Sequence, residues 1–312
     1  KPDYGPSKFN AGAGATVMGM RDFLIAYNIN LNTKDQRLAT DIAFELRESG
    51  RSERIPKPNS PNLLDGEIVR NKDGSPVKVP GMFKDVKGVG WYIDTFKRAQ
   101  ISINFNNYKN STIHNVYDAA CKLADERGIR VTGSELVGLI PLDAIIMAGK
   151  YYLQKQGRTI GVPESDIIES AVQSLGLNDV TPFVPKEKII EFAVGGKSGN
   201  LMSLSVDGFT NELSSNSPAP GGGSVAALAG SLGAALSSMV AALTHEKKGF
   251  ESQKTEMDMI GQDAQAIKDR LSFLVDEDTH AFNKVMAANR LLASNDEEKA
   301  MKSIQKLIHN GF

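Results

Sequence analysis

Apolar residues in the first two thirds of the chain alternate between strand spacing and helix spacing. Residues 16–31 predict a strand in which Phe23, Ile25 and Tyr27 share one face. Residues 34–49 predict a helix, because apolar side chains recur there at intervals of three and four. The other predicted elements of this part are a β-hairpin at 88–94 and 100–105, a helix at 112–127, a strand at 130–134, and helices at 142–156 and 164–175. Strands that alternate with helices in this way predict a layered α/β sandwich.

After residue 200 the strand period disappears, and the rest of the chain is predicted to be helical. The predicted helices cover residues 202–213, 222–247, 251–290 with one break allowed, and 295–309. The change follows a glycine-containing stretch at 195–200 and divides the chain into predicted domains 1–195 and 200–312. The expected fold class is α+β, an α/β sandwich followed by an all-α helical bundle. Residues 51–86 carry several prolines and no lasting period, and we predict an inserted loop there.

Length, composition and charge fit this division. The chain has 312 residues, which exceeds the usual size of one domain, and 41% hydrophobic with 23% charged residues is typical of globular proteins. The formal net charge of -1, from 36 basic and 37 acidic residues, has no excess to attract nucleic acid or an anionic membrane. The single cysteine, Cys121, fits a reducing, cytoplasmic setting. Residues 221–243 are built largely from Ala, Gly and Ser, so we predict a buried helix and no membrane span.

The run Pro218-Ala-Pro-Gly-Gly-Gly-Ser224 precedes the longest predicted helix. Gly221, Gly222 and Gly223 allow close backbone approach, and with Ser224 they present free N–H groups at a helix start, which suits an anion or a carbonyl. The alternative interpretation is a tight turn without a ligand. Small residues then recur at every fourth position and predict close packing on a neighbouring helix: Ala226, Gly230, Ala234 and Ser238.

Asp278 is the most informative single residue of the helical part. Its helical neighbours are all apolar: Leu271, Leu274, Val275, Ala281, Phe282 and Val285. A carboxylate in apolar surroundings tends to have a raised pKa, which suits general acid/base catalysis near neutral pH. The alternative is a buried structural aspartate paired with a cation or a helix terminus. Asp276 points about 200° away around the helix, so the two aspartates are not expected to form a dyad.

The histidines show no spacing typical of metal ligands. His114, His245, His280 and His309 are well separated in sequence, and Cys121 has no cysteine partner. We therefore predict no metal site.

Several motifs, in a common order, resemble the formimidoyltransferase-cyclodeaminase family, which includes the glutamate formimidoyltransferases. They are Gly5-Pro-Ser-Lys-Phe9, Arg21-Asp-Phe-Leu-Ile-Ala-Tyr-Asn-Ile-Asn-Leu31, Gly90-Trp-Tyr92, Gln100-Ile-Ser-Ile-Asn104, Gly133-Ser-Glu-Leu-Val-Gly-Leu-Ile-Pro141, the glycine run, Ser238-Met-Val240 and Leu274-Val-Asp-Glu-Asp-Thr-His-Ala-Phe282. The resemblance covers nearly the whole chain. It implies a ferredoxin-like transferase subdomain followed by the start of a cyclodeaminase domain.

The resemblance implies two folate reactions of histidine and glutamate catabolism. The first module moves a formimino group from N-formiminoglutamate to tetrahydrofolate, and the second closes the product to 5,10-methenyltetrahydrofolate with loss of ammonia. Asp278 is the implied acid/base of the second reaction, and we expect it to meet the glycine run in one folate pocket. The implied folate-binding segment of the first part consists of Gly5, Pro6, Ser7, Lys8, Phe9, Asn10, Ala11, Gly12, Ala13 and Gly14. Tetrahydrofolate, with or without a polyglutamate tail, is the implied carrier substrate, and a homo-oligomer is the implied assembly.

The resemblance also implies that the chain is a fragment. It places the first transferase subdomain, with its catalytic histidine, before Lys1, and further cyclodeaminase helices after Phe312. We therefore expect the fragment not to be fully active alone. Two other functions stay open: a methenyltetrahydrofolate cyclohydrolase-like enzyme, because a related helical family shares the glycine run, and a non-catalytic folate-binding or assembly module.

Overall fold

The computed structural model describes residues 2–12, 14–194 and 201–290. The chain forms two compact units, Lys1–Ile140 with Asp179–Thr181, and Pro141–Asn178 with Pro182–Phe312. This division assigns residues 141–178 to the same unit as the later helices, and the predicted domain boundary at 195–200 stays a prediction. That stretch and the predicted helix at 295–309 lie outside the described residues.

The elements follow the predicted order and confirm the α+β class. The strands are β1 (Ile25–Leu31), β2 (Arg51–Ser52), β3 (Arg54–Ile55), β4 (Glu67–Ile68), β5 (Lys78–Val79), β6 (Val86–Ile93), β7 (Arg98–Phe105) and β8 (Val131–Val137). The helices are α1 (Gln36–Leu46), α2 (Ile113–Asp125), α3 (Leu142–Lys155), α4 (Glu164–Leu175), α5 (Pro185–Lys188), α6 (Ile190–Val194), α7 (Val206–Leu213), α8 (Gly222–Glu246) and α9 (Lys254–Arg290).

The first unit is built on an antiparallel sheet in the order β6-β7-β1-β8. Helix α1 connects β1 to β6 and packs on β6 and β7, while α2 connects β7 to β8 and contacts β1 and β8. Each helix thus links two parallel strands that have a third strand between them, which is the interleaved βαββαβ arrangement of ferredoxin-like folds. The core lies between the sheet and the helices and includes Tyr27, Ile29, Ile42, Ile101 and Phe105.

Two predictions about local structure in this unit were wrong. The predicted strand at 16–31 begins only at Ile25, because the preceding residues pair with no strand among the described residues and Phe23 is 65% exposed. The predicted loop at 51–86 contains two short ribbons, in which β2 pairs with β5 and β3 pairs with β4. Both errors concern strand pairing, which depends on distant segments.

A buried charged network ties α1 to the end of α2 and to β2. Asp41 is fully buried and accepts from Arg51 Nη1 and from Arg127 Nε, each at 2.8 Å. Glu45 binds the same two guanidinium groups, with Arg51 Nη2 at 2.5 Å. Each carboxylate therefore has two cationic partners, as a buried ion requires.

In the second unit, α8 packs along α9 through a polar seam. The residues of α8 that face α9 recur every seven positions and are buried: Ser224, Ser231, Ser238 and His245. Ser231 Oγ, for example, lies 2.8 Å from Ser272 Oγ and donates to the carbonyl of Lys268 at 3.1 Å. The predicted stripe with a spacing of four is present in part: a Cβ on Gly230 would lie 2.9 Å from Leu271 Cδ1 of α9 and Ser238 is buried, whereas Ala226 is exposed.

The prediction that α8 is a buried helix was wrong for most of its length. Four large apolar residues of α8 are exposed: Leu232, Leu236, Met239 and Leu243. By length and composition alone α8 would also pass for a membrane-crossing helix, and 17% of that stretch is buried. A single helix of this kind is weak evidence for a membrane, and the predicted absence of a membrane partner stays a prediction.

The loop between α3 and α4 packs against the α8–α9 pair. Thr159 Oγ1 donates to Asp258 Oδ1 at 2.7 Å, and Ser238 Oγ donates to the carbonyl of Gly161 at 3.0 Å. Gly161 also faces Gly261 so closely that a Cβ on Gly161 would lie 2.6 Å from the Gly261 Cα. These contacts join α3 and α4 to α8 and α9 within the second unit.

Candidate functional site

The start of α8 meets Asp278 of α9. Gly221 is the N-cap of α8, and the helix begins with Gly222. Asp278 Oδ2 accepts a hydrogen bond from the Ser224 N–H at 2.8 Å and lies 3.1 Å from Ser224 Oγ. Glycine has no side chain to cap a helix, so the carboxylate of Asp278 takes the place of the usual N-cap side chain. The expected meeting of the glycine run with Asp278 is therefore present in the structure.

Gly223 lies directly against the Asp278 carboxylate. A Cβ on Gly223 would be 2.1 Å from Oδ1 and 2.5 Å from Cγ, whereas Cβ atoms on Gly221 and Gly222 would meet nothing within 4 Å. The position of Asp278 therefore depends on the absence of a side chain at position 223. The glycines before it leave the first turn of α8 open to solvent, where unpaired N–H groups can bind an anion or a carbonyl.

Ser224 is completely buried between the two helices. Its hydroxyl lies 2.8 Å from the carbonyl oxygen of Val275 and 3.3 Å from Thr279 Oγ1, in addition to its contact with Asp278. Both polar groups of Ser224 are thus occupied within the protein, and a direct contact of Ser224 with folate stays a prediction.

The surroundings of Asp278 are more polar than its apolar helical neighbours in the sequence predict. Asp278 is half-buried, and of its predicted apolar neighbours Val275 is buried while Phe282 is exposed. Oδ1 makes no hydrogen bond within the described residues, so it is the oxygen that can take up a proton from a ligand. Oδ2 is thus paired with a helix terminus, as the structural alternative requires. The catalytic interpretation concerns the other oxygen, Oδ1.

Asp276 has a different set of partners. It is 9% exposed and accepts from the N–H groups of Leu201 at 2.8 Å and Met202 at 3.4 Å. It thereby anchors the segment before α7 to α9. A pocket of about 330 Å³ lies beside this anchor, and its lining residues are Leu201, Leu204, Glu212, Ala219, Pro220, Asp276, Thr279, His280 and Asn283. Asp278 does not line this pocket, although Pro220 links the pocket wall to the glycine run.

The predicted folate-binding segment of the first part is exposed. Gly5, Pro6, Ser7, Lys8, Phe9, Asn10, Ala11, Gly12 and Gly14 are all on the surface, and Ala13 lies outside the described residues. A turn forms there, since the Gly14 N–H donates to the Asn10 carbonyl at 2.8 Å. The role of this segment in folate binding stays a prediction.

A polar cluster that the sequence pattern had not predicted lies on the side of the sheet opposite the core. Asn30 and Gln100 are fully buried there, and the Gln100 amide donates to Asn30 Oδ1 at 2.6 Å. Asp179 accepts from Asn30 at 2.9 Å and from Arg98 at 2.7 Å. Glu135 lies 3.5 Å from the Gln100 amide nitrogen. The cluster presents a carboxylate, amides and a guanidinium, which suits a polar, charged ligand.

A signal for this cluster was present in β1. Asn28 and Asn30 alternate with Tyr27 and Ile29, which is the pattern of a strand with one apolar and one polar face. Asn28 is buried on the polar face and donates to Glu135 Oε2 at 3.4 Å. Buried asparagines on a strand indicate a polar network or a ligand site.

Among the described residues, no three His, Cys, Asp or Glu side chains are grouped as metal ligands. His245 is buried beside a carboxylate, since its Nε2 lies 3.7 Å from Asp258 Oδ1. The prediction of no metal site stays a prediction.

Comparison with known families assigns both parts of the chain. A family model described as a formiminotransferase domain matches residues 26–195, which is more than half of the chain. The chain belongs to the formiminotransferase domain family. A second model, described as formiminotransferase-cyclodeaminase, matches residues 205–309. The polar sheet cluster thus falls in the formiminotransferase match, and the glycine run with Asp278 falls in the cyclodeaminase match.

Curated relatives agree with this membership. The formimidoyltransferase-cyclodeaminases of Mus musculus and Dictyostelium discoideum are each 39% identical, over 96% and 92% of this chain and 51% and 49% of the relative. The methenyltetrahydrofolate cyclohydrolase of Methylorubrum extorquens is 36% identical over 31% of this chain and 47% of its own length. The chain spans about half the length of the formimidoyltransferase-cyclodeaminases that it matches.

Proposed function

We propose that the protein acts in folate-dependent one-carbon metabolism, in formimino transfer from N-formiminoglutamate to tetrahydrofolate and in cyclodeamination of 5-formiminotetrahydrofolate. The observation that carries the second activity is the Asp278 carboxylate, which is held by the Ser224 N–H at 2.8 Å with Oδ1 left without a hydrogen-bond partner among the described residues. Family membership supports the first activity. The proposed setting is the cytoplasm and the proposed assembly a homo-oligomer.

The cyclodeaminase step needs a group that takes up a proton and then returns it. Folate N10 attacks the carbon of the protonated formimino group, –CH=NH2⁺, whose nitrogen becomes an NH2 substituent, and a proton leaves N10 as the new C–N bond forms. The NH2 nitrogen must then gain a proton, so that its bond to the carbon breaks, ammonia leaves and the positive charge stays on the methenyl product. In our proposal Asp278 Oδ1 accepts the proton from N10 and delivers it to the departing nitrogen, so the carboxylate is restored.

The open first turn of α8 has a supporting role in this proposal. Gly222 and Gly223 are the first two residues of α8, and Gly223 lies against the Asp278 carboxylate. A carbonyl or carboxylate of folate bound there would bring the reacting nitrogens within reach of Oδ1.

In the first unit, the polar sheet cluster of Asn30, Gln100, Glu135, Arg98 and Asp179 supports formimino transfer. N-formiminoglutamate carries carboxylates and a protonatable formimino group, and this cluster offers both a guanidinium and carboxylates. We propose that it contacts the polar ligands of the transfer reaction.

The proposal is tested by Asp278→Asn, which keeps the shape of the side chain and removes the base. We expect ammonia release from 5-formiminotetrahydrofolate to fall by roughly 10²- to 10⁴-fold, the usual contribution of general acid/base catalysis. Asp269→Asn is the matched control, because Asp269 lies on the same helix and is 60% exposed beside Lys268. Full ammonia release by the Asp278→Asn variant would contradict the assigned mechanism.

A second candidate function is hydrolysis of methenyltetrahydrofolate. The similarity to a methenyltetrahydrofolate cyclohydrolase over 98 residues favours it. Both reactions act on the same carbon between N5 and N10, with water or ammonia as the exchanged group. Parallel assays of methenyltetrahydrofolate hydrolysis and of ammonia release separate them, and we expect ammonia release to be the faster. The opposite ranking would favour the cyclohydrolase, and folate binding without either turnover would favour a non-catalytic module.

A further inference from the structure

The Ser224 hydroxyl has two acceptors and one hydrogen. Its oxygen lies 2.8 Å from the carbonyl oxygen of Val275 and 3.1 Å from Asp278 Oδ2. Neither acceptor can donate when Asp278 is ionised, and a hydroxyl donates only one hydrogen bond. The hydroxyl can therefore donate to the helix carbonyl or to the carboxylate, but not to both at once. Thr279 Oγ1, at 3.3 Å, can donate to Ser224 Oγ in either arrangement.

The better acceptor depends on the protonation state of Asp278. An ionised carboxylate is a stronger acceptor than a peptide carbonyl, so the hydroxyl hydrogen points at Oδ2 when Asp278 is charged. Once Oδ1 carries a proton, Oδ2 becomes the carbonyl oxygen of a neutral acid and a weaker acceptor. Val275 is then the nearer partner, and Oδ2 keeps the Ser224 N–H as a donor.

We propose that the Ser224 hydroxyl is a switching donor, which turns from Asp278 to the Val275 carbonyl each time Asp278 takes up a proton and turns back when the proton leaves. This inference rests on the proposed function, in which Asp278 is charged and neutral in turn. Ser224 is completely buried and acts through Asp278, so it is a positioning residue. Because the hydroxyl has a partner in both states, neither protonation state leaves it unpaired in the interior.

A matched control is present one heptad further along α8. Ser231 is also buried, and its hydroxyl also contacts a helix carbonyl of α9, that of Lys268 at 3.1 Å. Its second partner is Ser272 Oγ at 2.8 Å, which does not titrate. Ser231→Ala therefore removes a seam serine of the same kind without touching a carboxylate.

The switch is tested directly by carbon NMR, independently of turnover. The Asp278 carboxyl carbon and the Val275 carbonyl carbon are labelled with carbon-13. We expect the chemical shifts of both carbons to change with the same midpoint during a pH titration. In Ser224→Ala the chemical shift of the Val275 carbon should no longer change as Asp278 titrates. In Ser231→Ala it should change as in the unaltered protein. The proposal would be overturned if the chemical shift of the Val275 carbon stayed constant while Asp278 titrates. It would also be overturned if this shift still changed with the Asp278 titration in Ser224→Ala. If Ser224→Ala fails to fold, the chemical shift of the Val275 carbon in the unaltered protein and in Ser231→Ala still tests the proposal.

Kinetics give a second readout. We expect Ser224→Ala to lower kcat for ammonia release about tenfold with KM unchanged, because a hydrogen bond to a charged group is lost without loss of a ligand contact. Ser231→Ala should leave kcat unchanged. In an Asp278→Asn background the same Ser224→Ala change should have no further effect, and a full additive loss there would contradict action through Asp278. Absence of turnover in the unaltered protein would contradict the proposed function and would leave the NMR result standing.

Discussion

Asp278 combines a structural contact with a proposed catalytic role at the level of the single residue. Its Oδ2 caps the first turn of α8, because Gly221 at the N-cap position has no side chain. Its Oδ1 is the oxygen available to a ligand. A cap supplied from another helix fixes the carboxylate more firmly than a surface position would, which is what a proton-transfer group requires.

This double role predicts that stability and activity respond differently at position 278. Asn is as good a helix cap as Asp, so Asp278→Asn should change the free energy of unfolding by less than about 0.5 kcal/mol, whereas Asp278→Ala should cost about 1 kcal/mol. Both changes should lower ammonia release by roughly 10²- to 10⁴-fold. Urea unfolding followed by circular dichroism measures the first quantity. An equal loss of stability in the two variants would argue against the cap.

Gly223 provides the sharpest steric test of the site. A Cβ at this position would lie 2.1 Å from Asp278 Oδ1, so Gly223→Ala must displace the carboxylate or the start of α8. We expect ammonia release to fall at least tenfold, because misplaced catalytic groups lose rate steeply. Gly233→Ala is the control, since Gly233 lies on the same helix outside the glycine run and its Cβ would meet nothing within 4 Å. Equal activity of the two variants would contradict this geometry.

His114 predicts a pH dependence of stability in the first unit. Burial lowers the pKa of His114 from 6.5 to about 4, and Asp118 opposes this shift in part. Between these values the unfolded chain binds a proton that the folded protein does not, so stability falls as the pH drops from about 6.5 to about 4, by about 3 kcal/mol in all. His114→Gln should remove this slope.

The readout for this prediction is the fluorescence of Trp91, the single tryptophan, which lies in β6 of the same unit. His280→Gln is the control, because the His280 side chain is 55% exposed and its titration should matter little. Unchanged slopes in the His114→Gln protein would show that other groups govern the acid response.

At the level of elements, the sequence pattern predicts helices well where one face is apolar. α1 begins after Asp35, whose side chain accepts from the Arg37 N–H, and its buried residues include Leu38, Ile42 and Leu46 as the period required. α8 shows the limit of this reasoning. Its mean character is apolar, yet its packed face is a serine seam, because the partner helix supplies hydroxyl, amide and carboxylate groups that the sequence of α8 does not reveal.

The polar groups of the candidate site were predictable in kind but not in arrangement. Asp278 was identifiable because it interrupts an apolar stripe, and the glycine run because three glycines precede a helix. Their contact depends on how α8 pairs with α9, which is a long-range property. The buried polar cluster around Asn30 and Gln100 was missed for the same reason, since it is completed by Asp179 from a distant part of the chain.

The charged network under α1 predicts a large energetic difference between two arginines. Arg127 is 5% exposed and binds the fully buried Asp41, whereas Arg37 pairs with Asp65 at the surface, where the two side chains are 61% and 37% exposed. Arg127→Met should lower the free energy of unfolding by about 3 kcal/mol, because it leaves a buried carboxylate short of a partner. Arg37→Met should cost less than about 1 kcal/mol. Unfolding followed by Trp91 fluorescence measures both, and similar losses would contradict a structural role for the network.

For the whole molecule, the compact units and the family matches divide the chain differently. The formiminotransferase match extends to residue 195, yet α3 and α4 within it belong to the same compact unit as α8 and α9. The joining contacts are those of the α3–α4 loop, in which Thr159 binds Asp258 and Gly161 accepts from Ser238. On α8 the contact is made by Ser238, several turns after Ser224, so it can hold the helix pair without entering the candidate site.

This arrangement predicts that Gly161 governs the attachment of the helix pair to α3 and α4. Gly161→Ala would place a Cβ 2.6 Å from the Gly261 Cα, and backbone atoms cannot yield as a flexible side chain can. We expect a loss of about 1–3 kcal/mol, the usual cost of overpacking, together with faster amide hydrogen exchange around Ser238 and Asp258. Gly233→Ala in α8 is the control, since its Cβ would meet nothing within 4 Å and alanine favours a helix. If the amide hydrogens around Ser238 and Asp258 exchange at the same rates in both variants, the α3–α4 loop does not anchor the α8–α9 pair. If Gly161→Ala loosens the middle of α8 while Ser224 and Asp278 stay protected, the attachment and the candidate site are independent parts of one unit.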